Sequence, residues 1–181
     1  MKDEEIILLL QNPDSGDEAF KAILKSYKEK LYYHIRKIVI DHDDADDVTQ
    51  ETFIKIWKNL DKFRGDSKLY TWLYRIGTNE ALTFLQKKKR DRSVSIDDNE
   101  MLVAHLESSI SDTYLDGNEI EIKLQKAILQ LTDKQRVVFN LRYYDEMPYE
   151  EMSRVLETSE GALKASYHHA AKKIEDFIRN Y

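Results

Sequence analysis

The chain has 181 residues, of which 41% are hydrophobic and 34% charged, a balance that suits one folded domain or two small ones. Two Pro and five Gly are too few for an all-β fold with many turns, so the composition favours helices. The absence of Cys excludes a disulfide framework and a thiolate zinc site, and it fits a cytoplasmic location. The first residues place acids before a short apolar run at Ile6–Leu10, which matches neither a signal peptide nor a membrane span.

The net charge of −6 is concentrated in the middle of the chain. Residues 1–90 carry 17 Lys and Arg against 16 Asp and Glu, residues 91–118 carry 1 against 7, and residues 119–181 carry 10 against 11. The negative net charge argues against a protein that coats nucleic acid without sequence preference. Basic faces on the nearly neutral segments 1–90 and 119–181 can still bind phosphate. We expect an all-α fold with two small helical domains, residues 1–92 and 119–181, joined by a flexible acidic linker over residues 93–118.

Two long helices are predicted in the first third of the chain. Apolar residues recur at helical spacing from Asp17 to about Val39. A second helix is predicted from about Asp44 to Leu60, because its acidic first turn suits the positive end of the helix dipole. The residues expected to pack inward from it are Phe53, Ile56, Trp57 and Leu60. Its outer face, which carries Ile54, is interpreted either as a solvated surface or as a protein-binding surface.

A third helix is predicted from about Lys68 to Lys89, after a turn at Phe63–Ser67 that offers Asp66 or Ser67 as an N-cap. The apolar residues that recur at the helical spacing of a core-facing stripe are Leu69, Trp72, Leu73 and Ile76. The residues that fall largely outside this stripe are Tyr70, Thr71, Tyr74, Arg75, Thr78 and Asn79. Exposed rings, amides and a following basic run are what a single-stranded nucleic-acid surface requires. The alternative is a basic helix end that complements the dipole.

The C-terminal third begins with two predicted helices. The first starts near Glu119, and its apolar stripe is Ile120, Leu124, Ala127, Ile128 and Leu131. Thr132 and Gln135 match a capping box and predict the start of the second helix. Pro148 follows a polar run and predicts its end.

The segment Tyr149–Lys173 is typical of a helix-turn-helix unit, whose second helix enters the DNA major groove. Ser159 is a suitable N-cap for that second helix. Its buried stripe is predicted at Leu163, Tyr167, Ala170, Ala171, Ile174 and Ile178. Another face carries Lys164, His168 and Lys172, with the small residues Gly161 and Ala165 beside them. The lysines of such a face can bind phosphate, and its small residues allow the helix to approach the DNA groove closely. The alternative is a solvated basic face on a helix of a bundle.

Taken in order, these segments resemble a bacterial RNA polymerase sigma factor of the extracytoplasmic-function (ECF) group in the sigma-70 family. The resemblance covers about residues 6–90 and 119–178. Asp43–Trp57 is similar to the family's polymerase-core-binding helix. Phe63–Ile76, followed by Asn79, is similar to its promoter-melting segment in region 2. The segments that are similar to region 4 are Leu131–Arg136, Tyr149–Leu156 and Gly161–Lys164.

The resemblance implies a promoter-specificity subunit that binds core RNA polymerase, recognises the −10 and −35 elements and helps to melt DNA, with one base flipped into a pocket. The residues implied to bind the β′ clamp coiled coil are Asp44, Asp47, Gln50, Glu51, Ile54 and Trp57. Those implied for −10 binding and melting are Arg64, Lys68, Tyr70, Thr71, Trp72, Tyr74, Arg75, Asn79, Lys87 and Arg90. Those implied for −35 binding are Ser159, Glu160, Gly161, Lys164, Ala165, His168 and Lys172. The β flap and an anti-sigma factor are implied as further partners.

The chain departs from the family pattern in region 4. Ser166, His169 and Ala171 stand where the family commonly has basic residues, which predicts fewer phosphate contacts and a shallower salt dependence. Glu157 replaces the usual turn glycine, which argues against a left-handed conformation at that residue. Ala162 replaces the usual Thr, so the base preference at −35 does not carry over.

The main alternative function is a stand-alone helix-turn-helix regulator that binds duplex DNA. An enzyme is disfavoured, because the sequence has no Gly-rich phosphate loop and no nucleophile with an orienting base. Asp41–Asp44, which includes His42, lacks metal-ligand spacing and is interpreted as a solvated loop with a helix cap. We therefore expect no catalytic residue, no metal, no cofactor and no small-molecule substrate.

Overall fold

The computed structural model describes residues 2–91 and 119–180. This part of the chain forms eight α-helices and two short 3-10 turns at Pro13–Ser15 and Leu60–Lys62. The first four helices are α1 Asp3–Leu10, α2 Gly16–Val39, α3 His42–Lys58 and α4 Leu69–Asp91. The second four are α5 Glu119–Leu129, α6 Asp133–Tyr143, α7 Tyr149–Leu156 and α8 Glu160–Asn180. The prediction of an all-α, two-domain fold is confirmed, while the predicted linker lies outside the described residues.

The N-terminal half is a three-helix unit built from α2, α3 and α4, with α1 packed on α2. Leu31, Ile56 and Leu73 are fully buried at its centre, as their helical spacing predicts. The hydroxyl of Tyr27 on α2 donates to both carboxylate oxygens of Asp3 on α1, each at 2.7 Å. Burial, reinforced by Asp3, raises the pKa of Tyr27 above its ordinary value, so the phenol remains a neutral donor and ties α1 to α2.

The junction between α2 and α3 is shorter than the sequence predicts. Asp41 caps α3, because its Oδ1 accepts a hydrogen bond from the backbone N–H of Asp44 at 2.9 Å. The helix therefore begins at His42, and only two residues separate it from α2. The chain reverses at buried Ile40, whose φ of 71° lies in the left-handed region, which a β-branched residue rarely adopts.

The C-terminal half packs α5, α6, α7 and α8 together. A core on α5, α6 and α8 is formed by Ala127, Ile128, Leu131, Phe139, Ala170 and Ile174. Phe139 stacks on Tyr167 of α8, with ring centroids 5.7 Å apart and planes 12° from parallel. The predicted burial of Ile178 is wrong, because this residue is 40% exposed, and Ile120 of the predicted apolar stripe on α5 is 71% exposed. Each lies in a terminal turn of its helix, where the hydrophobic stripe extends past the neighbouring helices.

The two halves also pack against each other, which the sequence does not predict. Helix α6 lies against α2, and α7 lies against α4. Met147, Met152, Val155 and Leu163 are at most 2% exposed and belong to one apolar cluster with the core of the N-terminal half. The described residues therefore form one packed body although they contain two helical units.

The predicted capping box at the start of α6 is confirmed. The Oγ1 of Thr132 accepts from the backbone N–H of Gln135 at 3.3 Å, and the Oε1 of Gln135 accepts from that of Thr132 at 3.4 Å. We expect Thr132→Ala to lower the free energy of unfolding by about 1 kcal/mol, because the backbone N–H of Gln135 loses its side-chain acceptor. Urea denaturation measures this. Thr132→Ser is the matched control and retains the cap, and equal losses in both variants would contradict the capping role.

Candidate nucleic-acid interface

The helix-turn-helix is formed by α7 and α8, joined at Glu157–Ser159. Met152 and Val155 bury one side of α7. The Oγ of Ser159 accepts from the backbone N–H of Ala162 at 3.3 Å, so Ser159 caps α8 as predicted. The cap fixes where α8 begins, and the first turn of the helix is exposed at the position where such a unit contacts DNA.

Glu157 adopts the left-handed conformation, with φ 51° and ψ 40°, so the expectation that it would avoid this conformation is wrong. A residue other than glycine costs roughly 1–2 kcal/mol in this region. The tight turn between two packed helices imposes the backbone angles, and packing of α7 and α8 outweighs the local cost. The side chain of Glu157 meets Arg75 of α4 in an ion pair.

The predicted −35 residues share one open face at the start of α8. All of them are exposed, namely Ser159, Glu160, Gly161, Lys164, Ala165, His168 and Lys172. Lys164 lies 3.5 Å from the Glu160 carboxylate, a pair exposed enough to exchange for phosphate at little cost. Since no Cβ stands at Gly161 and nothing lies within 4 Å of where one would be, a backbone or a base could approach closely there.

The predicted −10 residues on and before α4 fall into two groups. The exposed ones are Arg64, Lys68, Arg75, Asn79, Lys87 and Arg90. Tyr70 and Trp72 are half-buried, and Trp72 packs on Phe63 with a centroid distance of 5.4 Å. The expectation that Thr71, Tyr74 and Thr78 lie outside the buried stripe is wrong, because all three are buried.

The C-terminal half covers Thr71. The hydroxyl of Thr71, which is 1% exposed, donates to the carboxylate of Glu151 on α7 at 2.6 Å. Glu151 is itself 5% exposed and lies 3.5 Å from the Nζ of Lys68. The apolar spacing of α4 does not account for this burial, because the cover comes from a helix eighty residues further along the chain.

A second polar cluster joins the halves at His34 of α2. Its Nδ1 lies 2.9 Å from Asp145 Oδ2 and its Nε2 lies 2.8 Å from Thr78 Oγ1. Lys37 lies 3.8 Å from the same Asp145 carboxylate, and burial lowers the pKa of Lys37 although Asp145 opposes this. Burial, with Asp145 nearby, raises the pKa of Tyr74 and keeps its hydroxyl neutral.

Sequence reasoning missed Glu151, His34 and Asp145. Two of them carried a detectable signal: His34 lies on the buried stripe of α2, four residues before Ile38, and Glu151 lies four residues before Val155 on the apolar side of α7. A polar residue at a buried helical position requires a partner. Its identity depends on which helix packs there, so the spacing alone could not name it.

The outer face of α3 is exposed to solvent, in agreement with either interpretation of its sequence, a solvated surface or a protein-binding surface. Ile54 is 38% exposed, and Asp47, Gln50 and Glu51 are exposed beside it. Trp57 does not pack fully inward as predicted: it is 45% exposed and lies edge-on to Phe20, with centroids 5.0 Å apart.

Asp44, at the start of α3, is partly covered, because Lys88 of α4 forms an ion pair with its carboxylate. Asp47 and Gln50 line a groove of about 810 Å³ between α2 and α3. At its edge, Thr49 Oγ1 is buried and has no hydrogen-bond partner among the described residues. An exposed apolar residue beside a groove of mixed charge is a suitable surface for a partner protein.

The described residues contain neither a metal-binding group of side chains nor a membrane-spanning helix. Within residues 2–91 and 119–180, no three His, Cys, Asp or Glu side chains are grouped so that they could hold a metal ion. None of the described helices combines the length and apolarity needed to cross a membrane. The fold and its open basic faces thus define a two-domain, all-helical DNA-binding protein.

Comparison with known proteins gives the family. Residues 23–91 match the family model Sigma-70 region 2, and residues 121–174 match Sigma-70, region 4. The chain is 31% identical to the RNA polymerase sigma-H factor of Pseudomonas aeruginosa, with 98% of this chain and 94% of that protein covered. It is also 31% identical to the ECF RNA polymerase sigma factor SigW of Bacillus subtilis, with 91% and 92% covered.

Two solved structures share the fold. One is the sigma factor RpoE of Bartonella quintana in complex with the anti-sigma factor NepR, with a TM-score of 0.68, 22% identity, and 88% and 96% of the two chains covered. The other is CnrH in complex with the cytosolic domain of CnrY, with a TM-score of 0.68, 20% identity, and 97% and 95% covered.

The chain belongs to the sigma-70 family, in its extracytoplasmic-function group. It is a promoter-specificity subunit of RNA polymerase, a class of non-catalytic subunits that recognise promoters.

Proposed function

We propose that residues 1–92 bind core polymerase and open the −10 element, that residues 119–181 read the −35 element, and that residues 93–118 tether the two. The observation that supports this division of roles is that two different helices each have a solvent-exposed face with basic residues. One, on α4, carries exposed Asn79 and basic residues, and the other, on α8, carries Lys164, His168 and Lys172. The first suits an unpaired strand, and the second suits a duplex groove. Transcription from defined promoters by core polymerase plus this protein tests the whole assignment.

The α3 face would bind the β′ clamp coiled coil of the polymerase. Ile54 supports this role, because an exposed apolar side chain ringed by Asp47, Gln50 and Glu51 resembles a small interface core with a polar rim. Trp57 adds a large half-exposed ring, a residue type that often carries much of the binding energy at protein interfaces.

We expect Ile54→Asp to weaken core polymerase binding at least about thirtyfold, which corresponds to about 2 kcal/mol, because it places a charge at the centre of the interface. Titration of labelled core polymerase measures the affinity. Ile178→Asp is the matched control, since Ile178 is exposed to the same degree but lies at the end of α8. Unchanged affinity in Ile54→Asp would rule out this face as the polymerase contact.

Strand opening would depend on α4 and the loop before it. Asn79 offers an amide that can hydrogen-bond a base edge, while Lys87 and Arg90 lie further along the same helix and can hold phosphate. Extruding one base costs a few kcal/mol, and binding energy alone can supply it. The chain would then need no catalytic residue, cofactor or small-molecule substrate of its own.

Asn79→Ala should slow promoter opening about tenfold and leave core binding unchanged, because losing one base-specific hydrogen bond costs about 1–2 kcal/mol. Permanganate reactivity of unpaired thymines measures opening. Gln86→Ala, an exposed amide on the same helix but outside the proposed site, should behave as the unsubstituted protein. A loss of core affinity equal to the loss of opening would refute the separate role of Asn79.

The −35 element would be read by the first turns of α8. The exposed Lys164 and Lys172 suit phosphate, and Gly161 and Ala165 allow a close approach to the groove. Ser166, His169 and Ala171 add no fixed positive charge, so few phosphates would be neutralised and the salt dependence would be shallow.

Lys164→Ala should weaken binding to −35 duplexes of every sequence about equally and lower the slope of log K against log salt by about 0.9, the effect of one lost phosphate contact. Fluorescence anisotropy over a salt series measures both. Arg179→Ala removes a charge roughly 22 Å along the same helix and should change neither quantity. A sequence-dependent loss would instead place Lys164 on a base edge.

Further partners complete the proposal. The C-terminal unit would contact the β flap, and an anti-sigma factor would hold the protein inactive in the cytoplasm, where its polymerase and promoters are. Support for such a partner comes from the two structural neighbours, one solved in complex with the anti-sigma factor NepR and the other with the cytosolic domain of CnrY. Co-purification of this chain with a genomically adjacent membrane protein would test that part.

A further inference from the structure

The first turn of α8 has a single side chain that can read a base. This turn consists of Glu160, Gly161, Ala162 and Leu163. Gly161 and Ala162 have no polar side-chain atom, and Leu163 is 1% exposed and packs into the core. The side chain of Glu160 is 48% exposed and ends in two hydrogen-bond acceptors. Because the N-terminal residues of a recognition helix contact the base edges, base reading from this turn falls to Glu160.

The neighbours of Glu160 allow its carboxylate to reach a base edge. Ser159 caps the helix by accepting from the backbone N–H of Ala162 at 3.3 Å, which fixes the backbone from which Glu160 projects. Nothing lies within 4 Å of the position of a Cβ at Gly161, and Ala162 adds only a methyl group. Glu160 therefore extends further from the helix than the other exposed residues of this turn.

In the free chain the carboxylate has a partner that DNA binding would remove. The Nζ of Lys164 lies 3.5 Å from the Glu160 carboxylate and 5.5 Å from the centre of the Tyr149 ring. When Lys164 binds phosphate, as proposed above, the phosphate replaces Glu160 as its anionic partner. The Glu160 carboxylate then faces the groove without a compensating donor. An acceptor that loses water without gaining a donor is strongly disfavoured, so the base opposite Glu160 has to supply one.

The four bases differ in whether they can supply this donor. In the major groove, cytosine presents its N4 amino group, which donates to a carboxylate. Guanine presents the acceptors O6 and N7, and thymine presents the acceptor O4 and a methyl group, so neither can pair with a carboxylate. Adenine has an N6 donor, but the N7 acceptor beside it opposes the second carboxylate oxygen. A carboxylate at this position thus favours cytosine and rejects the other three bases by opposing their acceptors.

We propose that Glu160 specifies a cytosine in the −35 element by accepting a hydrogen bond from the N4 amino group of that base in the major groove. This inference rests on the proposed function, because it assumes that the first turns of α8 enter the −35 duplex. It adds a base preference that the exposed Lys164 and Lys172 do not provide, since both are suited to phosphate. The alternative is a structural role, because an acidic residue in the first turn also stabilises the helix dipole.

Base preference distinguishes these two roles. The test uses the full chain reconstituted with core polymerase, on a promoter that this holoenzyme transcribes. The −35 region of that promoter is fully randomised, and a barcode in each transcript identifies its template. The unsubstituted protein should favour cytosine about tenfold over each other base at one position, a usual penalty for one mismatched base pair. Glu160→Gln should change the preference at that position to adenine, because a carboxamide pairs with N6 and N7 of adenine.

Glu175→Gln is the matched control. The side chain of Glu175 is 56% exposed, and Glu175 pairs with Arg179 four residues later, just as Glu160 pairs with Lys164. It lies roughly 22 Å further along α8, outside the proposed DNA face. This variant removes the same charge from the same helix and should leave every base preference unchanged. Glu160→Ala removes the hydrogen-bonding group altogether, so the four bases should then be used about equally at the affected position.

Three results would overturn the proposal. The first is an unchanged base profile in both Glu160→Gln and Glu160→Ala. The second is an equal loss of transcription on all templates, which is the result expected if Glu160 only stabilises the helix. The third is a preference that depends on Glu160 but favours a base other than cytosine. In each case transcription by the unsubstituted holoenzyme would leave the proposed function intact, whereas absence of that transcription would refute the function and this inference with it.

Discussion

The carboxylate of Glu151 on α7 is the buried charge that the contact between the two halves of this protein has to compensate. It is almost completely removed from water, and a carboxylate in that position is stable only where donors compensate its charge. Thr71 and Lys68 of the N-terminal half provide that compensation. Apolar packing of Met147, Met152 and Val155 places α7 on α4, and in that position Glu157 also reaches Arg75.

This placement leaves the proposed binding surfaces exposed to different degrees. Packing of α7 on α4 buries Thr71, one of the residues proposed to bind the −10 element. The face proposed to read the −35 element, on α8, and the α3 face with Ile54 are exposed in the same arrangement.

Local sequence signals predicted local structure well in several places. The capping box at Thr132, the N-cap at Ser159 and the apolar stripes of α2 and α4 depend on residues within a few positions of one another, and the structure contains them. The left-handed Glu157 shows the limit of the same reasoning. Propensity disfavours that backbone conformation, but the turn between two packed helices requires it, and tertiary packing outweighs a cost of roughly 1–2 kcal/mol.

By itself, the sequence determined the all-helical class, most helix positions, the helix-turn-helix and the family, because each rests on short-range periodicity or on contiguous motifs. Only the tertiary structure decided which polar residues are buried. His34, Thr71, Asp145 and Glu151 have partners 44 to 111 residues away in the chain, and no local pattern specifies such a pairing. The physical reason is that the burial of a charge depends on the helix packed over it, and that choice is made by the summed apolar contacts of the whole chain.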